Sequence, residues 1–294
     1  MRLAALIRGA FVPEGDFSGH LLEVHGRACL VAISAEACVT EACVTLAAAS
    51  LGALPCGIGL DTPPGFSFTD VLTADACVAS RAGILRVAGS RLAVDLRAAR
   101  QWCSDLRALE LDLRRPSSRA AWRDLTAAVL RDGRVAVLRD CAAAIAALGA
   151  ATHARDSAGA CRAMSRMIGL GEGRTPAGDD YLVGYAAGLL ACGDAAMPPA
   201  FPAALLAGLS GLAEVTTRVS RLYLEAAAQG EISQRLYAVA AAMAHGEGGT
   251  ERDRALADAL AVGHGSGAAG VLGLLDGCAA GSGLPRRAGS RSGV

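Results

Sequence analysis

The segment Gly169-Leu-Gly-Glu-Gly-Arg-Thr-Pro-Ala-Gly-Asp-Asp180, followed at once by the apolar run Tyr181–Leu190, is the strongest constraint on what this chain can fold into. Its four glycines and one proline make a loop open to backbone angles that other residues avoid. The apolar run is expected to be a helix over 178–191. Gly184 and Gly188 within it give a stripe of small residues that lets a second helix approach closely, so this helix is expected at the centre of its domain. A glycine loop feeding a helix start presents unpaired N–H groups at the positive end of the dipole, which suits an anion. Gly169, Gly171 and Gly173 are expected to form an anion nest, joined by Arg174, the Thr175 hydroxyl and Gly178. Asp179 and Asp180 then either cap the helix or hold a metal, Mg²⁺, against the anion.

Composition removes several classes of chemistry. All 28 basic residues are Arg, and the chain contains neither Lys nor Asn. Schiff-base lysine enzymes, pyridoxal-phosphate enzymes and standard P-loops, all of which need a lysine, are therefore excluded. The 28 basic residues are balanced by 28 acidic ones, and aromatics make up 4%, which argues against a nucleic-acid surface. With 53% hydrophobic and 19% charged residues, the chain is a packed globular protein. Ten cysteines are scattered without a C-x-x-C pair, which suggests neither a zinc framework nor a disulfide scaffold and points to a reducing cytoplasm. No membrane segment is expected, because the longest nearly uncharged apolar run, 181–193, is too short for a bilayer. The first ten residues, interrupted by Arg8, are not read as a signal peptide.

Taken in order, the chain is expected to be α+β: a β-rich domain over 1–104, a small barrel or curled sheet, then a mostly helical domain over 105–281. A disordered tail is expected over 282–294. Runs 19–24 and 28–33 read as a hairpin turned by His25-Gly26-Arg27, and runs 83–88 and 91–96 as a hairpin with a two-residue Gly89-Ser90 loop. A Ser N-cap after Pro116 is expected to start a helix that ends near Arg131. Further helices are expected over 135–148, closed by Gly149, and over 160–168, 203–212, 214–229, 232–245, 251–262 and 268–280.

Two other polar groupings stand out. Gly263-His-Gly-Ser-Gly267 repeats the glycine-rich helix start in miniature: His264 can donate to an oxyanion or phosphate, and Ser266 can do the same or cap its helix. Thr216 and Ser220, with Thr217 between them, are spaced to share one helix face as a polar cavity wall, unless their hydroxyls bond back to the helix carbonyls. No G-x-S-x-G elbow is present, and Gly-Leu-Gly-Glu-Gly is not a dinucleotide fingerprint.

At these residues the chain resembles a bacterial family that contains the AllH-type (YlbF-like) subunit of oxamate carbamoyltransferase. The 169–180 segment is similar to that family's signature, GLGxGLTPSGDD, with Arg174 in place of Leu and Ala177 in place of Ser. The stretch from Thr216 to Gly230 and the 263–267 loop fit the family's later blocks in order and spacing, and the resemblance is strongest from 168 onward. It implies a role linked to carbamoyl phosphate in anaerobic purine or allantoin breakdown, where oxalurate and phosphate interconvert with oxamate and carbamoyl phosphate. It also implies FdrA-like partner subunits. On this basis the chain is expected to be a carbamoyltransferase-type enzyme or subunit. The 169–175 loop would hold phosphate, with Thr216, Thr217 and Ser220 as further binding residues. His264, Gly265, Ser266 and Gly267 would polarise the carbamoyl carbonyl, and Asp179 or Asp180 would act on the attacking amine or on Mg²⁺. Three alternatives stand beside it: a non-catalytic or co-catalytic subunit, a specialised-metabolism enzyme with another acceptor, and a binding protein for a small carboxylate.

Overall fold

The structure is a computed structural model and describes residues 1–13, 15–34, 42–192, 197–246 and 249–284. Cys38 and most of the expected disordered tail, 285–294, lie outside the described residues. The chain divides into two compact units, Met1–Cys103 and Ser104–Val294.

The first unit is a closed barrel of eight strands with a ninth added, which meets the expectation of a small barrel. The strands are β1 (Arg2–Gly9), β2 (Phe17–Val24), β3 (Ala28–Ser34), β4 (Ala42–Ala48), β5 (Gly57–Leu60), β6 (Cys77–Arg81), β7 (Ile84–Val87), β8 (Ala93–Asp95) and β9 (Arg100–Trp102). Their order, β5-β4-β3-β2-β6-β7-β8-β1, is closed by β1 pairing antiparallel with β5. Along its other edge β1 pairs parallel with β8 through Arg2–Ala4 and parallel with β9 through Ile7–Gly9. Alternate residues such as Leu3 and Ala5, or Val78 and Ser80, point into the barrel and are buried, the period-2 pattern of a half-buried strand. Both expected hairpins form. β2 and β3 pair in the antiparallel register Ser18↔Ser34 to Val24↔Cys29 around His25-Gly26-Arg27. β7 and β8 pair as Ile84↔Asp95 to Arg86↔Ala93, a register centred on Gly89-Ser90. The ladder stops at Arg86↔Ala93, so the connection is longer than two residues; its turn is closed by Ser90 N–H to the Val87 carbonyl with Gly89 at φ 73°.

The second unit is helical: α1 (Pro116–Arg131), α2 (Ala142–Ala154), α3 (Ser157–Ser165), α4 (Ala177–Ala191), α5 (Ala200–Leu212), α6 (Arg218–Ala228), α7 (Gln234–His245), α8 (Gly249–Leu260) and α9 (Ser266–Gly281). Several boundaries differ from the sequence expectation for local reasons. Pro116 itself takes the first helical position of α1, where its fixed φ is suited and its missing N–H costs nothing, so the following serines lie inside the helix and Ser118 is buried. Residues 133–141 form a 3-10 segment that runs directly into α2. α2 passes through Gly149 because Ile145, Leu148 and Thr152 keep one buried face, and it ends at Arg155 in the left-handed conformation, φ 57°. α3 starts at Ser157, capped by Asp156, which accepts from Gly159 N–H at 2.8 Å. Together 133–154 make the one helical stretch among the described residues long and apolar enough to cross a membrane by length and composition; Leu138, Cys141, Ala144, Ile145 and Leu148 of this stretch are buried in the core of the unit.

The core is organised on α4, which is buried at every position except Asp180 and Val183. Its partner is α9, and the two interlock through glycines from both sides. A Cβ on Gly184 would lie 1.9 Å from the Gly270 carbonyl oxygen and one on Gly188 2.2 Å from that of Leu274. In return, a Cβ on Gly273 would lie 2.0 Å from the Tyr181 oxygen and one on Gly277 2.3 Å from that of Tyr185. Only glycine permits backbones this close. The expected stripe on α4 therefore has a matching stripe on α9. Trp122 of α1 ties into the pair by donating from Nε1 to the Leu275 carbonyl at 2.9 Å.

Candidate functional site

Three loops meet at the starts of α4, α6 and α9. The 169–176 loop folds back on the first turn of α4: Gly178 N–H donates to the Leu170 carbonyl at 2.9 Å, and a Cβ on Gly178 would lie 2.1 Å from the Met167 oxygen. Gly169, Gly171 and Gly173 all have left-handed φ, 74°, 118° and 93°, which the reversal of the loop requires. Gly171 also touches the helix start, where a Cβ would lie 2.6 Å from Ala177 N.

The helix start settles how the two aspartates differ. Pro176 is the N-cap of α4, no side chain caps it, and the Asp179 and Asp180 N–H groups both donate to the Pro176 carbonyl. Asp179 is 1% exposed. One carboxylate oxygen accepts from Gly169 N–H at 2.8 Å, the other from the Thr216 hydroxyl at 2.5 Å. It is a clamp that joins the loop to the segment preceding α6. Asp180 turns the other way. The hydroxyls of Thr175 and Ser266, hydrogen-bonded to each other at 2.9 Å, lie beside its carboxylate, while its Oδ2 is shielded from solvent and has no partner. Burial pushes the Asp180 carboxyl up to about 7; the two hydroxyls oppose that shift and the charge of Asp179 adds to it.

The expected site residues fall into two groups. Those brought together are Asp179 with Gly169 and Thr216, Asp180 with Thr175 and Ser266, and Thr217 with Arg174, whose carbonyl accepts the Thr217 hydroxyl at 2.5 Å. Thr217 also caps α6, accepting from Ser220 N–H at 3.1 Å. Thr216 and Ser220 do not share a helix face, because α6 begins only at Arg218 and Thr216 is extended. Ser220 is buried and its Oγ has no hydrogen-bond partner. Ser266 does not cap α9: Gly265 is the N-cap position, and the Ser266 hydroxyl crosses to Thr175 instead.

Several expected anion donors serve the fold. The N–H groups of Gly169, Gly178 and Gly267 donate to Asp179, Leu170 and Val262 respectively, and a Cβ on Gly267 would lie 2.1 Å from the Ala259 oxygen. Gly171, Gly173 and Arg174 lie on the exposed rim of the loop, and His264 is exposed beside the start of α9. Two neighbours carried no signal in the sequence. Cys141 is buried near the clamp, its thiol pushed up by burial and by the charges of Asp140 and Asp179. Val137 packs on Gly265, where a Cβ would lie 2.7 Å from its side chain. Val137, Leu170, Val215 and Val262 are large apolar side chains left exposed on or against these same loops.

As a Mg²⁺ pair the two carboxylates are unequal. Both oxygens of Asp179 are committed to hydrogen bonds, whereas Asp180 keeps one oxygen, the solvent-shielded Oδ2, without a partner. No group of three metal-binding side chains occurs among the described residues.

Residues 167–278 match the model of the family described as "Oxamate carbamoyltransferase subunit AllH", and this span holds all three converging segments. No curated protein matches the chain, and no solved structure does.

Proposed function

We propose that the helical unit binds carbamoyl phosphate, or a small anion of the same chemistry, and takes part in carbamoyl transfer to a small amine or amide. The observation that carries this reading is Asp180: a shielded carboxyl with one unpartnered oxygen, beside two hydroxyls where two glycine-rich helix starts meet, with a pKa near neutrality. Such a group suits a general base. The acceptor nitrogen would donate to the Asp180 carboxylate and attack the carbamoyl carbon. The carbon–oxygen bond to phosphate breaks, phosphate leaves with the bonding electrons, and the proton from nitrogen passes to Asp180. The exposed Gly171–Arg174 rim would hold the phosphate, with Arg174 as counter-charge, and His264 with the Gly265–Ser266 backbone would polarise the carbonyl. Of the two carboxylates, Asp180 would be the one to hold Mg²⁺, which would supply charge neutralisation at the leaving group. A cytoplasmic location goes with nine free cysteines among the described residues.

The family description, a subunit, favours action in a complex, and the four exposed apolar side chains around the site support a partner that covers it. An FdrA-like subunit is the proposed partner. The test is phosphate release from carbamoyl phosphate with oxamate as acceptor, measured with the chain alone and with co-purified partners. Wild-type rates in Asp180→Ala would remove the carboxylate from the mechanism. No turnover alone, restored by the partner, would make the chain a co-catalytic subunit.

A further inference from the structure

A cavity of about 670 Å³ opens at the end of α4 opposite Asp180. Its floor is apolar, formed by Leu189 and Leu190 from the last turn of α4 and by Pro202 and Leu206 of α5. Its rim is charged and comes from the segment that precedes α1: Arg107, Glu110, Asp112, Arg114 and Arg115. Leu190 lies ten residues beyond Asp180, roughly 15 Å along a helix that rises 1.5 Å per residue, so the two sites do not overlap.

The rim charges are not equivalent. Arg114 grips Asp112 with both arms of its guanidinium, Nε to Oδ1 at 2.9 Å and Nη2 to Oδ2 at 3.1 Å, which closes that pair on itself. Arg107 and Arg115 make no ion pair with any described residue, although the charge of Arg115 also acts on Asp112, so three rim guanidinium groups stand against the two carboxylates of Glu110 and Asp112. The volume falls in the range of small-molecule sites, about 300–1,000 Å³, which are mostly apolar with a few charged groups fixing orientation. We propose that this groove binds a small organic anion with an apolar body, the body on the leucine floor and the anionic group against Arg107 and Arg115. Nothing in carbamoyl transfer requires an apolar ligand, so this is a second site with its own ligand class.

The probe is hexanoate, with hexylammonium as the control of equal length and opposite charge, titrated into the full chain by calorimetry and ligand-observed NMR. Ala203→Trp fills the groove from the exposed side of α5, and the double variant Arg107→Glu/Arg115→Glu reverses the rim; all three positions are exposed, so the fold is kept, which circular dichroism checks. Hexanoate is expected to bind saturably, with hexylammonium and both variants weakening binding by about tenfold or more. No saturable hexanoate binding overturns the proposal. So does hexanoate binding kept within about threefold in either variant, or hexylammonium binding as well as hexanoate. Because the carbamoyl-phosphate assay reads the other end of α4, either proposal can fail without the other.

Discussion

Thr175 and Ser266 stand 91 residues apart in the chain, yet their hydroxyl oxygens lie 2.9 Å apart, and both lie beside the carboxylate of Asp180. Each hydroxyl stabilises the ionised form, so removing either raises the Asp180 pKa further. Ser266→Ala and Thr175→Ala are each expected to move the lower limb of the pH–rate profile above about 7, and Asp180→Asn to abolish that limb. An unmoved limb in the Ser266 variant would separate this carboxyl from the rate.

The same carboxyl sets a pH dependence of stability. Its folded pKa is raised above 3.8, so the native state holds the proton more tightly than the unfolded chain. Between about pH 4 and 7 the native form binds more protons, and stability falls as pH rises through that window. Asp180→Asn removes the penalty. It is expected to gain roughly 2 kcal/mol over wild type on passing from pH 5 to pH 8, given about 1.4 kcal/mol per pKa unit and partial solvent access. Urea unfolding at the two pH values measures this.

Asp179 is expected to behave differently from its neighbour. Asp179→Ala leaves the N–H of exposed Gly169 and the hydroxyl of half-buried Thr216 without their acceptor, at a cost of about 1–3 kcal/mol. Thr216→Val removes one of the two bonds and should cost about 1 kcal/mol. Thermal melts, with proteolysis of the 169–176 loop as a second readout, distinguish loss of the clamp from loss of chemistry.

The α4–α9 contact supplies its own control. Gly273→Ala places a methyl 2.0 Å from the Tyr181 carbonyl oxygen and is expected to cost about 3 kcal/mol or to prevent folding. A Cβ on Gly270, four ångströms or so further along the same helix, meets nothing closer than 3.6 Å. Gly270→Ala should therefore be neutral or gain up to about 1 kcal/mol in helix propensity. Equal effects in chemical denaturation would contradict the interlock.

What the sequence makes legible here is local. The two hairpins show because their turn residues sit between β-friendly runs, and the central place of α4 shows because Gly184 and Gly188 mark one face. The partner of that face does not show: Gly273 and Gly277 have the same spacing, but nothing along the chain says which two stripes will meet. The division of labour between the aspartates is hidden for a related reason. Adjacent helical residues point about 100° apart, so one position decides whether a carboxylate meets Gly169 and Thr216 or Thr175 and Ser266. Glycines in the loops read as anion donors in the sequence, but Gly169, Gly178 and Gly267 use their N–H groups on neighbouring backbone or Asp179, because close packing and ligand binding leave the same residue in the sequence.

Strand β1 has a consequence for how the barrel is made. It pairs with residues 58–60 on one side and with 93–95 and 100–102 on the other. Loops of 50 to 90 residues must therefore close before either of its edges is satisfied, which places these pairings among the slow, entropically costly steps of folding. On the ribosome Arg2–Gly9 emerges before every strand it pairs with, and its pairings are complete only when Trp102 has been made. The earliest of the nine strands is completed last.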